Sequence, residues 1–206
     1  MDKRIIVVDN FYSNPDAIRS FAFKSGFSSG AKYNYPGYQS EKRFVNIDAI
    51  QGAFEKLIGK KIDLDLDRFT FGGFRIITSE TGAKTKVHAD SVIDWAGLVF
   101  LTPNAPMSSG FGVLRHKETN RISPPTDKEA REMGFEDAQE FEREIVHRDM
   151  ADLSKWELVN FIGPVYNRLV LFRGNELYHA PLGGVGAKPE EARLTHNFFF
   201  NEKVLV

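Results

Sequence analysis

Two periods of apolar residues divide the chain into a short helical part and a longer strand-rich part. Residues 14–26 open with the capping sequence Asn-Pro-Asp, continue with apolar positions at helical spacing, and end with Gly. Residues 48–59 repeat this helical spacing and also end with Gly. These patterns predict two helices in the N-terminal third, with a polar and aromatic ordered loop at 28–42 between them.

From Ile62 onward the apolar period changes from about 3.6 to 2, which is typical of strands with one buried face. The predicted strands are 62–71, 74–78, 95–101, 111–114, 156–161, 169–172 and 194–200, together with an N-terminal strand at 5–8. Helices first and many short strands afterwards predict a mainly β fold of the α+β class, a sandwich or barrel with the helices packed outside.

One helical segment, at about 120–150, interrupts the predicted strands. Thr126 and Glu129 form a capping-box pattern, and a polar stretch with a thin apolar stripe follows. We expect one domain, 1–206, with an N-terminal helical brace at 1–61 and a β core at 62–206 that carries this insertion. Whether the insertion is a lid over a site or a shield for a sheet edge is open from the sequence.

Composition narrows the classes of function. Apolar residues make up 42% of the chain, so a disordered protein is excluded. Lys and Arg number 27 against 28 Asp and Glu, a balance that argues against a nucleic-acid partner or an anionic membrane. No signal peptide or membrane span is evident, so we expect a cytoplasmic protein. Without cysteine, any metal site must use His and carboxylate.

The segment Val87-His88-Ala89-Asp90 carries the first candidate ligands. In extended backbone, His88 and Asp90 point to one face, where an imidazole and a carboxylate can bind a divalent metal. A surface pair at the end of a strand has the same pattern.

Two further elements follow downstream. His179 comes after the apolar run 169–172 and a turn, which predicts a position at the mouth of a sheet, although a structural histidine also fits. Arg193 and Thr195 open the last predicted strand and share one face with Asn197. An inward-facing arginine needs a partner, and its planar fork suits a carboxylate. An edge arginine, or one paired with an internal acid, is the alternative.

Together these elements resemble the Fe(II)/2-oxoglutarate-dependent oxygenase superfamily. The matching order is His-x-Asp, a distal His after an apolar strand, and then Arg-x-Thr, over roughly residues 69–201. The resemblance implies a double-stranded β-helix (jelly roll) in which His88, Asp90 and His179 bind Fe(II) and form the catalytic centre. It also implies that Arg193 and Thr195 bind the 2-oxoglutarate cosubstrate.

The implied reaction uses O2 and 2-oxoglutarate, releases succinate and CO2, and hydroxylates a C–H bond of a substrate. Related halogenases have Gly or Ala at the position of Asp90, so the resemblance favours a hydroxylase over a halogenase. The substrate, a small molecule or a peptide, is open, as is the oligomeric state.

Two other functions remain open at this point. One is a cupin-like isomerase or a 2-oxoglutarate-independent dioxygenase, which would need the metal but not Arg193. The other is a non-enzymatic β-sandwich binding module. Among the remaining residues, we expect 115–117 to form a solvated turn, and His147 and His196 to be structural or exposed. We expect Tyr33, Tyr35 and Tyr38 to pack against the sheet.

Overall fold

A computed structural model describes residues 3–30, 36–44 and 46–204 of the chain. The strands are β1 (Ile5–Val8), β2 (Phe27–Ser29), β3 (Tyr38–Arg43), β4 (Ile62–Asp63), β5 (Phe71–Ile77), β6 (Trp95–Phe100), β7 (Phe111–His116), β8 (Trp156–Ile162), β9 (Leu169–Arg173), β10 (His179–Pro181) and β11 (Arg193–Glu202). The helices are α1 (Pro15–Phe23), α2 (Ile47–Ile58), α3 (Ser79–Gly82), α4 (Asp127–Glu132), α5 (Ala138–Phe141) and α6 (His147–Asp149), with a π-helical turn at Glu142–Val146.

The strands form two sheets, and all the strand pairs of the described residues are antiparallel. The larger sheet has the order β1-β9-β6-β11-β5-β3-β2, with β4 added at one end of β11. The smaller sheet has the order β10-β7-β8. This architecture confirms the predicted mainly β class.

The outer face of the larger sheet carries the main core, against which α1 and α2 pack. Phe54 of α2 is fully buried and stacks on Phe200, while its ring meets the Phe198 ring edge-on. Phe198 and Phe200 occupy alternate positions of β11, so the period of 2 that predicted this strand also builds the core.

The inner face of the larger sheet faces the smaller sheet. A second buried cluster combines Leu98, Phe100 and Phe172 of the larger sheet with Phe111 and Val113 of β7. The space between the two sheets is therefore closed by apolar packing around β6, β7 and β9, and its remaining open part holds the site described below.

The N-terminal prediction holds for both helices but not for the segment between them. Asn14 and Asn46 cap α1 and α2 with their side chains, and Gly59 ends α2 in the left-handed conformation, as predicted. The loop prediction for 28–42 is wrong where it overlaps β2 and β3, which are polar strands without an apolar alternation, β2 at the edge of the larger sheet and β3 between β2 and β5. Tyr33 and Tyr35 lie outside the described residues, and Tyr38 is exposed.

The predicted strand at 62–71 is also wrong over most of its length. β4 has two residues, and the chain then turns at Asp65, whose side chain accepts a hydrogen bond from Arg68 N and whose carbonyl accepts one from Phe69 N. Asp65, one of the aspartates that alternate with leucines, therefore supplies turn contacts instead of a solvated strand face.

The insertion is helical, but it consists of short turns instead of one helix. The capping box of Thr126 and Glu129 is present at the start of α4. A third buried cluster fastens the segment to the smaller sheet through Phe141, Val146 and Tyr178, and the Tyr178 hydroxyl donates to Glu142. None of the helices in the described part of the chain has the length and apolar character that a lipid bilayer demands.

Candidate metal centre

His88, Asp90 and His179 come together at one end of the space between the sheets. One ligand atom from each lies within 4.8 Å of the others. His88 Nε2 is 3.8 Å from Asp90 Oδ1, and His179 Nε2 is 3.9 Å from Asp90 Oδ2. Two distant parts of the sequence pattern, His-x-Asp and the distal His, thus meet in one small volume.

Backbone hydrogen bonds hold the segment around His88 against the strand that begins at His179. His88 N donates to His179 O, and His179 N donates to His88 O, as an isolated antiparallel bridge. Asp90 N donates to Gly174 O, at the turn after β9. His88 and Asp90 therefore lie in a bridged loop and not in a named strand, although the segment is extended at His88 as the pattern predicted.

Both imidazoles present the same nitrogen to Asp90. His88 Nδ1 donates to Lys86 O at 3.1 Å, and His179 Nδ1 donates to Leu177 O at 2.9 Å. Because a carbonyl oxygen can only accept, each Nδ1 carries the proton and each Nε2 keeps its lone pair. Metal-binding histidines are oriented in this way by a carbonyl behind the ring.

The protonation state of His179 also suits a ligand. Its side chain is 7% exposed, and it packs between the Phe172 and Phe111 rings. Burial, followed by the charge of His88, lowers the pKa of His179 to about 4. The imidazole is therefore neutral near pH 7, as a metal ligand must be.

Asp90 supplies an observation that tests whether the cluster fits a metal. Its Oδ2 atom is buried and has no hydrogen-bond partner among the described residues. A buried carboxylate oxygen without a partner is costly, by about 1–3 kcal/mol or more for a charged group. A cation between the two Nε2 atoms and Asp90 would remove this cost, so the residues present fit a divalent metal with His and carboxylate ligands.

Gly174 shapes the pocket in which this carboxylate lies. A Cβ atom built on Gly174 would be 2.3 Å from Asp90 Oδ2, so the position has no room for a side chain. The glycine in the turn after β9 thereby fixes where the carboxylate sits.

Arg193 lies in the same cleft, 3% exposed, at the start of β11. Its Nε donates to Ser109 O at 2.7 Å, and its guanidinium lies 5.2 Å from the centre of the Phe100 ring. Its burial excludes the alternative of an edge arginine that reaches solvent. Within the described ranges it forms no ion pair, which excludes the alternative of an internal acidic partner there. Burial and then the charge of Arg75 lower the pKa of Arg193 to about 9.

The cleft joins the three candidate ligands to the polar face of β11. Thr195 and Asn197 line it beside Arg193, as the period of 2 predicted, whereas His196 and Phe198 face the main core. It encloses about 520 Å³ of empty space, including the part open to solvent. Residues 120–150 are all described, and none of them lines this cleft.

Arg75 is a cleft residue that the sequence analysis missed. It lies on β5 directly opposite Thr195, half-buried and pointing into the cleft. A charged residue between Phe74 and Ile76, inside an otherwise apolar strand, is the pattern from which it was identifiable.

A second group of potential ligands, His116, Glu118 and Asp149, has another explanation. Arg148 pairs with Glu118 Oε2 at 2.6 Å and with Asp149 Oδ2 at 2.8 Å, and the hydrogen bonding of Arg148 to Asp149 holds the pKa of Asp149 far below its usual range. His116 Nε2 lies 3.0 Å from the same Asp149 oxygen. The group is an ion-pair network at the base of the insertion. The expected solvated turn at 115–117 is wrong for His116, which is fully buried.

Comparison with known proteins gives the family of the chain. The sequence profile described as "Family of unknown function (DUF6445)" matches residues 1–200. The chain belongs to the DUF6445 family. No curated protein matches this DUF6445 member in sequence.

Solved structures give its fold. The DUF6445 chain is similar to a prolyl 4-hydroxylase from Phytophthora capsici, with a TM-score of 0.54, 11% identity, and coverage of 98% of this chain and 59% of that one. It is also similar to a prolyl hydroxylase from Trichoplax adhaerens in complex with a hypoxia-inducible-factor peptide fragment, with a TM-score of 0.52, 14% identity, and coverage of 96% and 83%. The DUF6445 chain thus has a fold like that of prolyl hydroxylases, and it spans about three fifths of the Phytophthora protein.

Proposed function

We propose that this DUF6445 protein is an Fe(II)- and 2-oxoglutarate-dependent dioxygenase that hydroxylates a C–H bond of its substrate. The observation that carries the proposal is the pairing of two features in one cleft. Two Nε2 lone pairs and a partnerless carboxylate oxygen converge at one side, and a buried arginine without an acidic partner in the described residues lies at the other. The likeness to prolyl hydroxylase folds supports it.

His88, Asp90 and His179 would hold the iron. Two neutral imidazoles and one carboxylate form the facial set that leaves coordination positions open in non-haem Fe(II) oxygenases. When bound, the metal would supply activation of O2 coupled to decarboxylation of the keto acid. The carbonyl oxygens of Lys86 and Leu177 orient the two rings toward that position.

Arg193 and Thr195 would bind the distal carboxylate of 2-oxoglutarate. The fork of Arg193 is fixed by the bond from its Nε to Ser109 O and by the Phe100 ring, so its outer nitrogens are preorganised for two parallel bonds. Thr195 adds a hydroxyl donor two residues along the same face. Because Arg193 is buried, water competes little for this contact.

The overall reaction consumes 2-oxoglutarate, O2 and a substrate R–H, and it forms succinate, CO2 and R–OH. One oxygen atom enters succinate and the other enters the alcohol, so atoms and electrons balance. Asp90 as a ligand favours hydroxylation over halogenation, since a carboxylate fills the position that a halide would need. The apolar wall of Phe111 and Phe172 keeps bulk water from the His179 side.

The fold proposal that accompanies this function is a double-stranded β-helix. The two facing antiparallel sheets, with the candidate ligands at one open end, support it. We further propose that 1–206 form a single domain with the insertion as a surface cover, since its residues pack on the smaller sheet and do not line the cleft.

Turnover measurements test this function. Protein loaded with Fe(II) without oxygen, then given 2-oxoglutarate and O2, should form succinate, and Asp90→Ala should abolish this while His147→Ala, an exposed histidine, should retain it. Stoichiometric metal without any 2-oxoglutarate binding or turnover would contradict the proposal and favour a cupin-like or 2-oxoglutarate-independent enzyme. Absence of metal binding would favour a binding module.

A further inference from the structure

Asn197 presents an unused hydrogen-bond donor to the cleft. Its side chain is 5% exposed, and its Nδ2 atom is buried without a partner among the described residues. It lies two positions beyond Thr195 on the same face of β11 and lines the cleft. A buried amide nitrogen of this kind is unfavourable unless a ligand accepts a hydrogen bond from it.

Arg75 projects into the cleft from the neighbouring strand. It lies opposite Thr195, and the residue opposite Asn197 is Gly73. Arg75 and Asn197 are therefore diagonal neighbours, roughly 7–8 Å apart across the strand pair, within reach of a long side chain. Gly73 has no side chain to separate them, and a Cβ there would lie 2.7 Å from Gln39 Nε2.

A second depression meets the cleft at Arg75. Arg75 and Phe199 line both, and the second depression is also lined by Arg43 and Arg68. Among the described residues, its lining has three guanidinium groups and the carboxylate of Glu41, and Arg68 also pairs with Asp65 at 3.8 Å. The mouth of the cleft on this side is therefore positively charged, which attracts anions.

Arg75 brings a second positive charge to the lining of the cleft that also holds Arg193 and the candidate metal ligands. The lining of the cleft thus combines two arginines, Arg75 and Arg193, with the carboxylate of Asp90.

We propose that Arg75 and Asn197 form a second carboxylate-binding subsite, and that the primary substrate is a small organic acid whose carboxylate binds there. This inference rests on the proposed function, which assigns Arg193 and Thr195 to the cosubstrate. The guanidinium of Arg75 donates to the substrate carboxylate and Asn197 Nδ2 donates a further hydrogen bond to it. A carboxylate accepts both, whereas a neutral primary amide offers one oxygen and no charge.

The position of the subsite determines what would be oxidised. It lies along β11 between Thr195 and Phe199, on the side of the cleft that meets the charged depression. A small acid anchored there reaches the candidate metal ligands with its carbon chain. The hydroxylated carbon would thus belong to a compact molecule such as a free amino acid or a short aliphatic acid.

Paramagnetic relaxation tests the subsite without turnover. The full chain is loaded with Mn(II), with and without saturating 2-oxoglutarate. The ¹⁹F relaxation rates are then measured for a panel of fluorinated amino acids and short aliphatic acids. The primary amide of each acid is measured as its uncharged control. We expect the ¹⁹F signal of at least one acid to be broadened by protein loaded with Mn(II) but not by protein loaded with Mg(II). The amide of that acid should bind at least tenfold more weakly. Arg75→Gln and Asn197→Leu should each weaken that binding at least tenfold, and Arg131→Gln, on the insertion surface, should not.

A conservative variant of Arg75 and the relaxation of 2-oxoglutarate itself serve as controls. Arg75→Lys keeps the charge and should retain part of the binding, and proton relaxation of 2-oxoglutarate shows whether each variant still folds around its first subsite. If 2-oxoglutarate itself is not broadened, the proposed function fails. If 2-oxoglutarate binds but no acid is broadened, if amides bind as well as acids, or if Arg75→Gln and Asn197→Leu bind normally, the subsite is overturned.

Discussion

His179 Nε2 lies 3.9 Å from Asp90 Oδ2, an oxygen that no hydrogen bond of the described residues satisfies. The two residues are brought together by backbone bonds and not by their own side chains: the segment at His88 bridges to His179, and Asp90 N donates to Gly174 O. The side chains are thereby left available for a shared ligand.

Loss of either ligand should abolish metal binding. Asp90→Ala and His179→Ala should each lower the affinity for Mn(II) by more than about 100-fold, since changes outside the ligand set alone cost roughly 10–100-fold. Isothermal titration of metal-free protein measures this, with His147→Ala as the control. Unchanged affinity in either ligand variant would show that the cluster is structural.

Gly174→Ala should weaken the metal site without removing a ligand. The new Cβ would displace the Asp90 carboxylate, and we expect an affinity loss of roughly 10–100-fold. Gly52→Ala is the matched control, because a Cβ on this helical glycine meets nothing within 4 Å and should stabilise α2 by at most about 1 kcal/mol. Equal metal affinities in the two variants would show that Gly174 does not position the Asp90 carboxylate for metal binding.

Replacement of Arg193 should lower the affinity for 2-oxoglutarate without lowering the free energy of unfolding. Arg193→Met should lower 2-oxoglutarate affinity at least about 30-fold, because truncating a buried charge pair costs about 2 kcal/mol or more. The free energy of unfolding without ligand should stay equal or rise, since a buried charge is replaced by an apolar side chain of similar length.

Arg173→Met is the matched control for that stability. Arg173 pairs with Glu202 Oε1 at 2.5 Å and lies over the Trp95 ring, so its loss should cost about 1.5–3 kcal/mol. Urea unfolding of both variants measures the difference. If Arg193→Met lowered the free energy of unfolding more than Arg173→Met, Arg193 would be a structural arginine.

His196 should make the protein less stable in acid. Its ring is buried on Phe74, and its Nδ1 lies 2.8 Å from the Tyr12 hydroxyl oxygen. Burial lowers the pKa of His196 from 6.5 to about 4. Between these values the unfolded chain binds more protons than the folded one, so the free energy of unfolding falls as the pH falls from 6.5 to 4, by about 3 kcal/mol from this residue.

His196→Asn removes this titration. Urea unfolding of metal-free protein between pH 4 and pH 7 should show a shallower pH dependence for the variant, with the other titrating groups shared by both proteins. Parallel curves would mean that His196 is protonated equally in the folded and unfolded states.

The period of 2 in β11 predicted which side chains of this strand face the cleft. It set Arg193, Thr195 and Asn197 on one face and His196 and Phe198 on the other, because alternation is a local property of a strand. The shared face of His88 and Asp90 followed from the local period of 2. Their convergence with His179 followed from the family resemblance, since contacts between distant segments leave no trace in periodicity.

Other features could not be predicted because they depend on the sheet around them. β2 and β3 are polar strands: β3 pairs with β5 and β2 pairs with β3 at the edge of the sheet, through backbone bonds instead of apolar side chains. The burial of His116 depends on Asp149, which the insertion brings to it. The role of Gly174 is visible only when Asp90 is beside it.

An anaerobic absorption titration tests the central claim most directly. Protein reconstituted with one Fe(II) per chain should develop a metal-to-ligand charge-transfer band when 2-oxoglutarate is added, and the band should be absent in His179→Ala and require far more 2-oxoglutarate in Arg193→Met. Failure of the wild-type protein to bind one Fe(II), or a bound Fe(II) whose spectrum 2-oxoglutarate does not change, would contradict the account.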